Sequence, residues 1–139
     1  RGISIVPLKF GIGFSKGFYN QVGENVISNI GPFIWNSLQG AALVNIYKDG
    51  SVLISHGGTE MGQGINTKAI QIASRILKVP MSSIHIKETC TGNVPNAAPS
   101  AASFGTDAVG MAVKDGCEKL MRRLEPLIKK HPQFTWQQL

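Results

Sequence analysis

Residues 51–77, "SVLISHGGTEMGQGINTKAIQIASRIL", change character twice within one short stretch. A β-branched run leads into four glycines within residues 57–64, and a helical pattern follows directly. Ile65, Ala69, Ile72, Ala73, Ile76 and Leu77 recur at helical spacing, and Pro80 stops the pattern. The unit is therefore strand, irregular loop, helix. It recurs at 84–124. "SSIHIKET" reads as a strand, with Ile84 and Ile86 facing one way and His85 and Lys87 the other. A turn-rich stretch, "CTGNVPNAAPSAASFGTD", then leads into a helix predicted over about 101–124. Phe104, Ala108, Met111, Ala112 and Leu120 are its inward candidates, and Pro126 is expected to end or kink it.

Upstream, "AALVNIYKDGSVLI" alternates in part on both sides of Lys48-Asp49-Gly50, which predicts a hairpin over 41–54. "GISIVPLKFGIGF" reads as one or two short strands. Strands mixed with helices, one hairpin among them, give an α+β fold with a mixed sheet and two strand-loop-helix units. Two loops that each end at a helix start could converge on one ligand.

With 139 residues, the chain is long enough for one domain with a core, and 42% hydrophobic against 16% charged residues is a globular balance. The net charge of +6 lies largely in "KLMRRLEPLIKKH". No aromatic residues interleave there as base-stacking platforms, so the segment reads as a solvated or subunit-facing helix surface and not as a nucleic-acid site. Cys90 and Cys117 are too few and too far apart for a zinc or iron–sulfur motif; they are expected to be free thiols in a reducing compartment. No signal peptide or membrane-length apolar run is present. The chain opens on "RGISIV" and ends mid-pattern at "FTWQQL", so it reads as a piece of something longer.

The first loop lacks the Gly-Lys-Ser/Thr ending of a phosphate-binding loop, and it contains no dinucleotide fingerprint. Glycines before a helix start leave approachable backbone and unpaired N–H groups, a bed for something anionic or rich in acceptors. Gln63 stands between Gly62 and Gly64 and offers amide donors and an acceptor. That suits a heteroatom-rich ring or an oxo group better than a bare phosphate; the competing reading is a tight turn with a surface glutamine. In the second loop, Ser100 to Thr106 combines small residues with hydroxyls at a helix start, which fits ligand binding or plain capping. His56, His85 and His131 are not spaced as a metal site. Of the three only His56 adjoins the glycines, where a packing or loop-fixing role is expected. Glu60 and Glu88 do not form an evident acid–base pair, and no nucleophilic triad is discernible.

"HGGTEMGQG" followed by "VPNAAPSAAS" resembles the molybdenum hydroxylases, the aldehyde oxidase and xanthine dehydrogenase family. "RGISIVPLKFGIGF", "ALVNIYKDGSVL" and "LMRRLEPLIKK" agree with it, so the resemblance covers nearly the whole chain. It implies part of the second lobe of a molybdopterin-binding domain. The parent would be a cytoplasmic homodimer carrying molybdenum–molybdopterin, FAD and two [2Fe–2S] clusters, and it would hydroxylate aldehydes or N-heterocycles. Carried over residue by residue, the resemblance makes Met61, Gly62 and Gln63 cofactor contacts. It does the same for Ala101, Ala102, Ser103, Phe104 and Gly105, with Ala102 near the metal. A pterin rich in donors and acceptors would be held by backbone N–H groups, an amide and helix starts without a lysine. Metal ligation would come from the cofactor's own dithiolene, so no metal-binding or catalytic residue is expected in this chain. "FYNQ", "NIYKDGSVL" and "SFGTD" lean toward aldehyde oxidase, with a xanthine dehydrogenase-type fragment or a non-catalytic truncated product as alternatives.

Two features depart from the family pattern. Its general-base glutamate, iron–sulfur cysteines, flavin domain and first molybdenum lobe are not within these 139 residues. Residues 22–40, "VGENVISNIGPFIWNSLQG", have no counterpart in that pattern and would place Phe33, Ile34 and Trp35 in a strand connection. They read as an atypical insert of aberrant-splicing or gene-prediction origin, or else as a surface loop.

Overall fold

The computed structural model describes residues 2–7, 40–90, 92–94, 100, 103 and 105–138. Strands β1 (Ala42–Ile46) and β2 (Val52–His56) form the expected hairpin. They pair antiparallel, with Val44 opposite Ile54 and Ile46 opposite Val52. The connecting turn is closed by a bond from the Gly50 amide to the Tyr47 carbonyl at 2.9 Å. Asp49 Oδ1 accepts from the Ser51 amide at 2.9 Å and from its hydroxyl at 2.7 Å. Gly50 lies at φ 83°, in the left-handed region where a side chain is disfavoured.

Helix α1 spans Ile65–Leu77 as the spacing predicts, burying Ile65, Ala69, Ala73 and Leu77 at every fourth position. It ends at Lys78, which turns left-handed at φ 62°, two residues before Pro80. Strand β3 (Ile84–Ile86) is shorter than predicted because Met81–Ser83 forms a 3₁₀ turn. Ile84 is buried, Ile86 half-buried and His85 exposed, as the alternation requires. β3 runs parallel to β2, so the sheet order is β1-β2-β3 and β2, α1 and β3 form one crossover unit. The α+β expectation with a mixed sheet and two strand-loop-helix units holds.

Helix α2 (Gly105–Lys130) is longer than predicted and runs through Pro126. Proline removes one backbone donor, but here it does so in the exposed last turn, so the helix continues four residues beyond it. The buried face is Val109, Gly110, Val113 and Cys117; Met111 is 60% exposed, and Ala108, Ala112 and Leu120 are half-buried. Phe104 lies outside the described residues. The glycines set this face. A Cβ on Gly110 would come within 2.8 Å of Ile72 Cδ1 on α1, and one on Gly116 within 3.2 Å of Val44 Cγ2 on β1. Their absence of side chain lets α2 lie against both elements. The two helices pack against each other and against the sheet, around Val52, Ile54, Ile65, Ala73, Leu77, Val113 and Cys117.

Three exposed i,i+4 pairs run along α2, Lys114–Glu118, Lys119–Asp115 and Lys129–Glu125. Beyond it, the Trp136 indole donates to the Gly50 carbonyl at 2.7 Å, joining the 3₁₀ turn Trp136–Gln138 to the hairpin turn. Residues 2–7 adopt no regular structure and expose Ile3, Ile5 and Val6, so this part of the predicted N-terminal strands is not formed. The rest of that segment and residues 22–39 lie outside the described residues. Both cysteines are free, and among the described residues no helix is long and apolar enough to cross a membrane.

Candidate functional site

The two helix starts come together. A Cβ on Gly58 would lie 2.7 Å from Ile65 Cδ1, in the first turn of α1, and 3.2 Å from Val109 Cγ2, near the start of α2. A Cβ on Gly105, the first residue of α2, would lie 3.6 Å from the same Ile65 atom. The start of α2 therefore lies beside the glycine loop and the start of α1.

The glycine loop is built from its own side chains. Glu60 Oε1 accepts from the amides of Gly62 at 3.1 Å and Gly64 at 2.9 Å, while Oε2 accepts from the Asn66 amide at 3.0 Å. The anion in the bed at the start of α1 is thus a carboxylate of this chain. The backbone hydrogen bond from Asn66, followed by that from Gly64, holds the Glu60 carboxyl below its ordinary value. Sequence reasoning weighed Glu60 only as half of an acid–base pair. Its proximity to a helix start was the available signal.

Gln63 Nε2 donates to the Thr59 carbonyl at 2.7 Å, and its Oε1 accepts from the Met61 amide at 2.7 Å. One amide hydrogen and one lone pair of Gln63 remain for a ligand. Gly62 at φ 97° and Gly64 at φ 77° adopt the left-handed conformation, and a Cβ on either would meet nothing within 4 Å. Met61 is 67% exposed. The loop consequently presents a thioether, bare backbone at two glycines and the free edge of an amide.

His56, at the end of β2, is fully buried. Its Nδ1 accepts from the Gly58 amide at 3.2 Å, the loop-fixing role expected of it. Burial pushes its pKa down, against weaker opposing effects from Asn66 and Glu60. Thr89, beyond β3, donates to the Gly58 carbonyl at 3.3 Å, so Gly58 is held from both sides.

Among the carried-over residues, Met61, Gly62 and Gln63 lie together on this loop. Ser103 is exposed at φ 57°, just before Gly105 opens α2. Ala101, Ala102 and Phe104 lie outside the described residues. A separate open groove of about 570 Å³ between β1, α2 and Trp136 contains none of these residues. Among the described residues no cluster of histidine, cysteine or carboxylate side chains could hold a metal ion.

The family model for the molybdopterin cofactor-binding domain matches residues 1–139. The chain is 51% identical over 137 residues to aldehyde oxidase 2 of Macaca fascicularis, covering 99% of this chain and 9% of that protein. Aldehyde oxidase 3 of Mus musculus is 51% identical over 138 residues, and xanthine dehydrogenase/oxidase of Felis catus 50% over 137, with the same coverage. A CO dehydrogenase from Oligotropha carboxidovorans shares the fold at a TM-score of 0.63, over 71% of this chain and 12% of that one, at 24% identity. The chain belongs to the molybdopterin-binding domain of the molybdenum hydroxylase family, which includes aldehyde oxidase and xanthine dehydrogenase. Its relatives are oxidoreductases many times its length.

The site's chemistry fits the pterin portion of that cofactor. Open glycine backbone and an amide edge suit a flat, heteroatom-rich ring. The start of α1 does not fit a phosphate, because Glu60 already accepts from its amides.

Proposed function

We propose that this chain is the molybdopterin-holding portion of an aldehyde oxidase-like molybdenum hydroxylase. Met61, Gly62 and Gln63 contact the cofactor from the glycine loop, and Ala101, Ala102, Ser103, Phe104 and Gly105 are its further contacts by the family resemblance. The convergence of the two helix starts on Gly58, Ile65 and Gly105 carries this reading. When bound, the cofactor supplies the redox chemistry that hydroxylates an aldehyde or N-heterocycle with oxygen from water. The chain's own part is to bind and orient: Gln63 offers its free amide edge, Gly62 and Gly64 admit the ring against the backbone, and Met61 covers it. FAD, two [2Fe–2S] clusters and the general base belong to the remainder of the longer protein, which on this reading is a cytoplasmic homodimer. The 139-residue chain alone is expected to turn over no aldehyde.

Molybdenum and released pterin, measured in the longest natural chain containing these residues, test the assignment. Wild type is expected to hold both in near-equal amount, and Gln63→Ala to lose roughly tenfold in occupancy, the scale of one lost hydrogen bond. A wild-type protein that holds neither overturns it. The near-equal identity to aldehyde oxidases and a xanthine dehydrogenase keeps a purine hydroxylase as the second reading. Turnover of aldehydes against hypoxanthine decides between them.

A further inference from the structure

The polar side-chain atoms that are buried and without a hydrogen-bond partner among the described residues include His56 Nε2 and Asn66 Oδ1. They complement one another. Nδ1 of His56 accepts a hydrogen bond from the Gly58 amide, so in the neutral ring the proton sits on Nε2. That leaves a buried donor on the last residue of β2 and a buried acceptor in the first turn of α1. An interaction with the Asn66 side chain also favours charge on the ring. The Asn66 amide, meanwhile, is one of the three bound by Glu60. Gly58 is thus tied to the buried imidazole and Asn66 to Glu60, and the unpartnered Nε2 and Oδ1 are the two groups that would join these pairs.

We propose that His56 is a positioning residue for the cofactor loop: as the neutral Nε2–H tautomer it locks Gly58 through Nδ1 and draws Asn66 through Nε2, and so sets the aim of Met61, Gly62 and Gln63. The inference rests on the cofactor reading above. The geometry explains why an imidazole stands there. It alone among neutral side chains offers an acceptor and a donor on opposite sides of a rigid ring. Protonation would turn Nδ1 into a donor facing the Gly58 donor and break the lock. Burial opposes protonation. Glu60, the charged group acting on the ring, and Asn66 from α1 favour it, while Val109 from α2 and Thr89 beyond β3 close the spot around Gly58 without charge.

The test uses the longest natural chain containing these residues, with His56→Leu, which keeps an apolar volume, and His56→Asn, whose amide oxygen can replace Nδ1. Amide hydrogen exchange is read at residues 57–64 and 69–77, and pterin content is measured in parallel. The expected result is about tenfold faster exchange at Gly58 in His56→Leu, with 69–77 unchanged, the scale of one hydrogen bond. A comparable loss of pterin should accompany it, and His56→Asn should restore Gly58 protection. Wild-type protection at Gly58 should also fall as pH drops below the ordinary histidine value, whereas His56→Leu should show no such step. Uniformly faster exchange through 69–77 would overturn the proposal in favour of plain packing. So would unchanged Gly58 protection, or lost protection with pterin content intact. A wild type without pterin refutes the cofactor reading instead, and the exchange pattern still decides whether His56 sets the loop.

Discussion

Among the described residues two turns are held by a carboxylate, and they differ in reach. In the hairpin, Asp49 grips Ser51, two residues away, through both its amide and its hydroxyl. In the glycine loop, Glu60 grips residues two, four and six positions on. A short side chain meets its own backbone nearby almost regardless of the surroundings, so Asp-Gly between strands announces its turn in the sequence. A longer one finds its partners only after the backbone has curled around it, which Gly62 and Gly64 permit by turning left-handed. The first turn closes a hairpin, and the second shapes a surface. Local chemistry specifies the one, and the packing of Gly58 between both helices and His56 specifies the other.

Substitutions can break this contrast. Gly58→Ala should act most strongly, since its Cβ would meet Ile65, Val109 and the His56 ring at 2.7, 3.2 and 3.4 Å. A loss of about 1–3 kcal/mol in urea unfolding is expected, as for overpacking in a filled core. A loss no larger than that of an exposed alanine substitution would mean that the loop is not packed from below.

Trp136→Phe keeps most of the ring and removes the bond to the Gly50 carbonyl. About 0.5–1.5 kcal/mol should be lost, with the glycine loop undisturbed. Altered exchange at 57–64 in that variant would show the two turns to be coupled.

Glu60→Gln should have the smallest effect at neutral pH, because the carboxylate is solvent-exposed and an amide oxygen can still accept. Its signature lies in the pH profile. The folded carboxyl titrates below its ordinary value of 4.5, so its stabilisation is complete above that value and is lost as pH falls through the folded one. Unfolding midpoints of wild type and Glu60→Gln should converge on acidification; a constant difference from pH 7 to pH 3 would remove Glu60 from its place at the helix start.

The hairpin and α1 were legible because their signals are local: alternation around Asp49-Gly50, apolar residues on one helical stripe, and Pro80 beyond the end. The inner face of α2 was not. Ala108, Val109, Met111, Ala112 and Val113 are all apolar, so periodicity leaves several faces open. Gly110 and Gly116 decide between them by allowing close approach to Ile72 and Val44, and glycine carries no weight in a hydrophobic pattern. The glycine loop was legible in its backbone, as glycines before a helix start. It was not legible in its wiring, because the bonds of Glu60, Gln63 and His56 depend on a conformation that no spacing rule describes.

The indole bond to Gly50 spans 86 positions of sequence. Its consequence is temporal. The hairpin can pair as soon as residues 42–56 exist, from neighbours a few positions apart, but the clasp over its turn waits for Trp136 to be synthesised. Closing so long a segment is entropically slow compared with zipping a hairpin. Until Trp136 has been made, the turn therefore stands without this clasp.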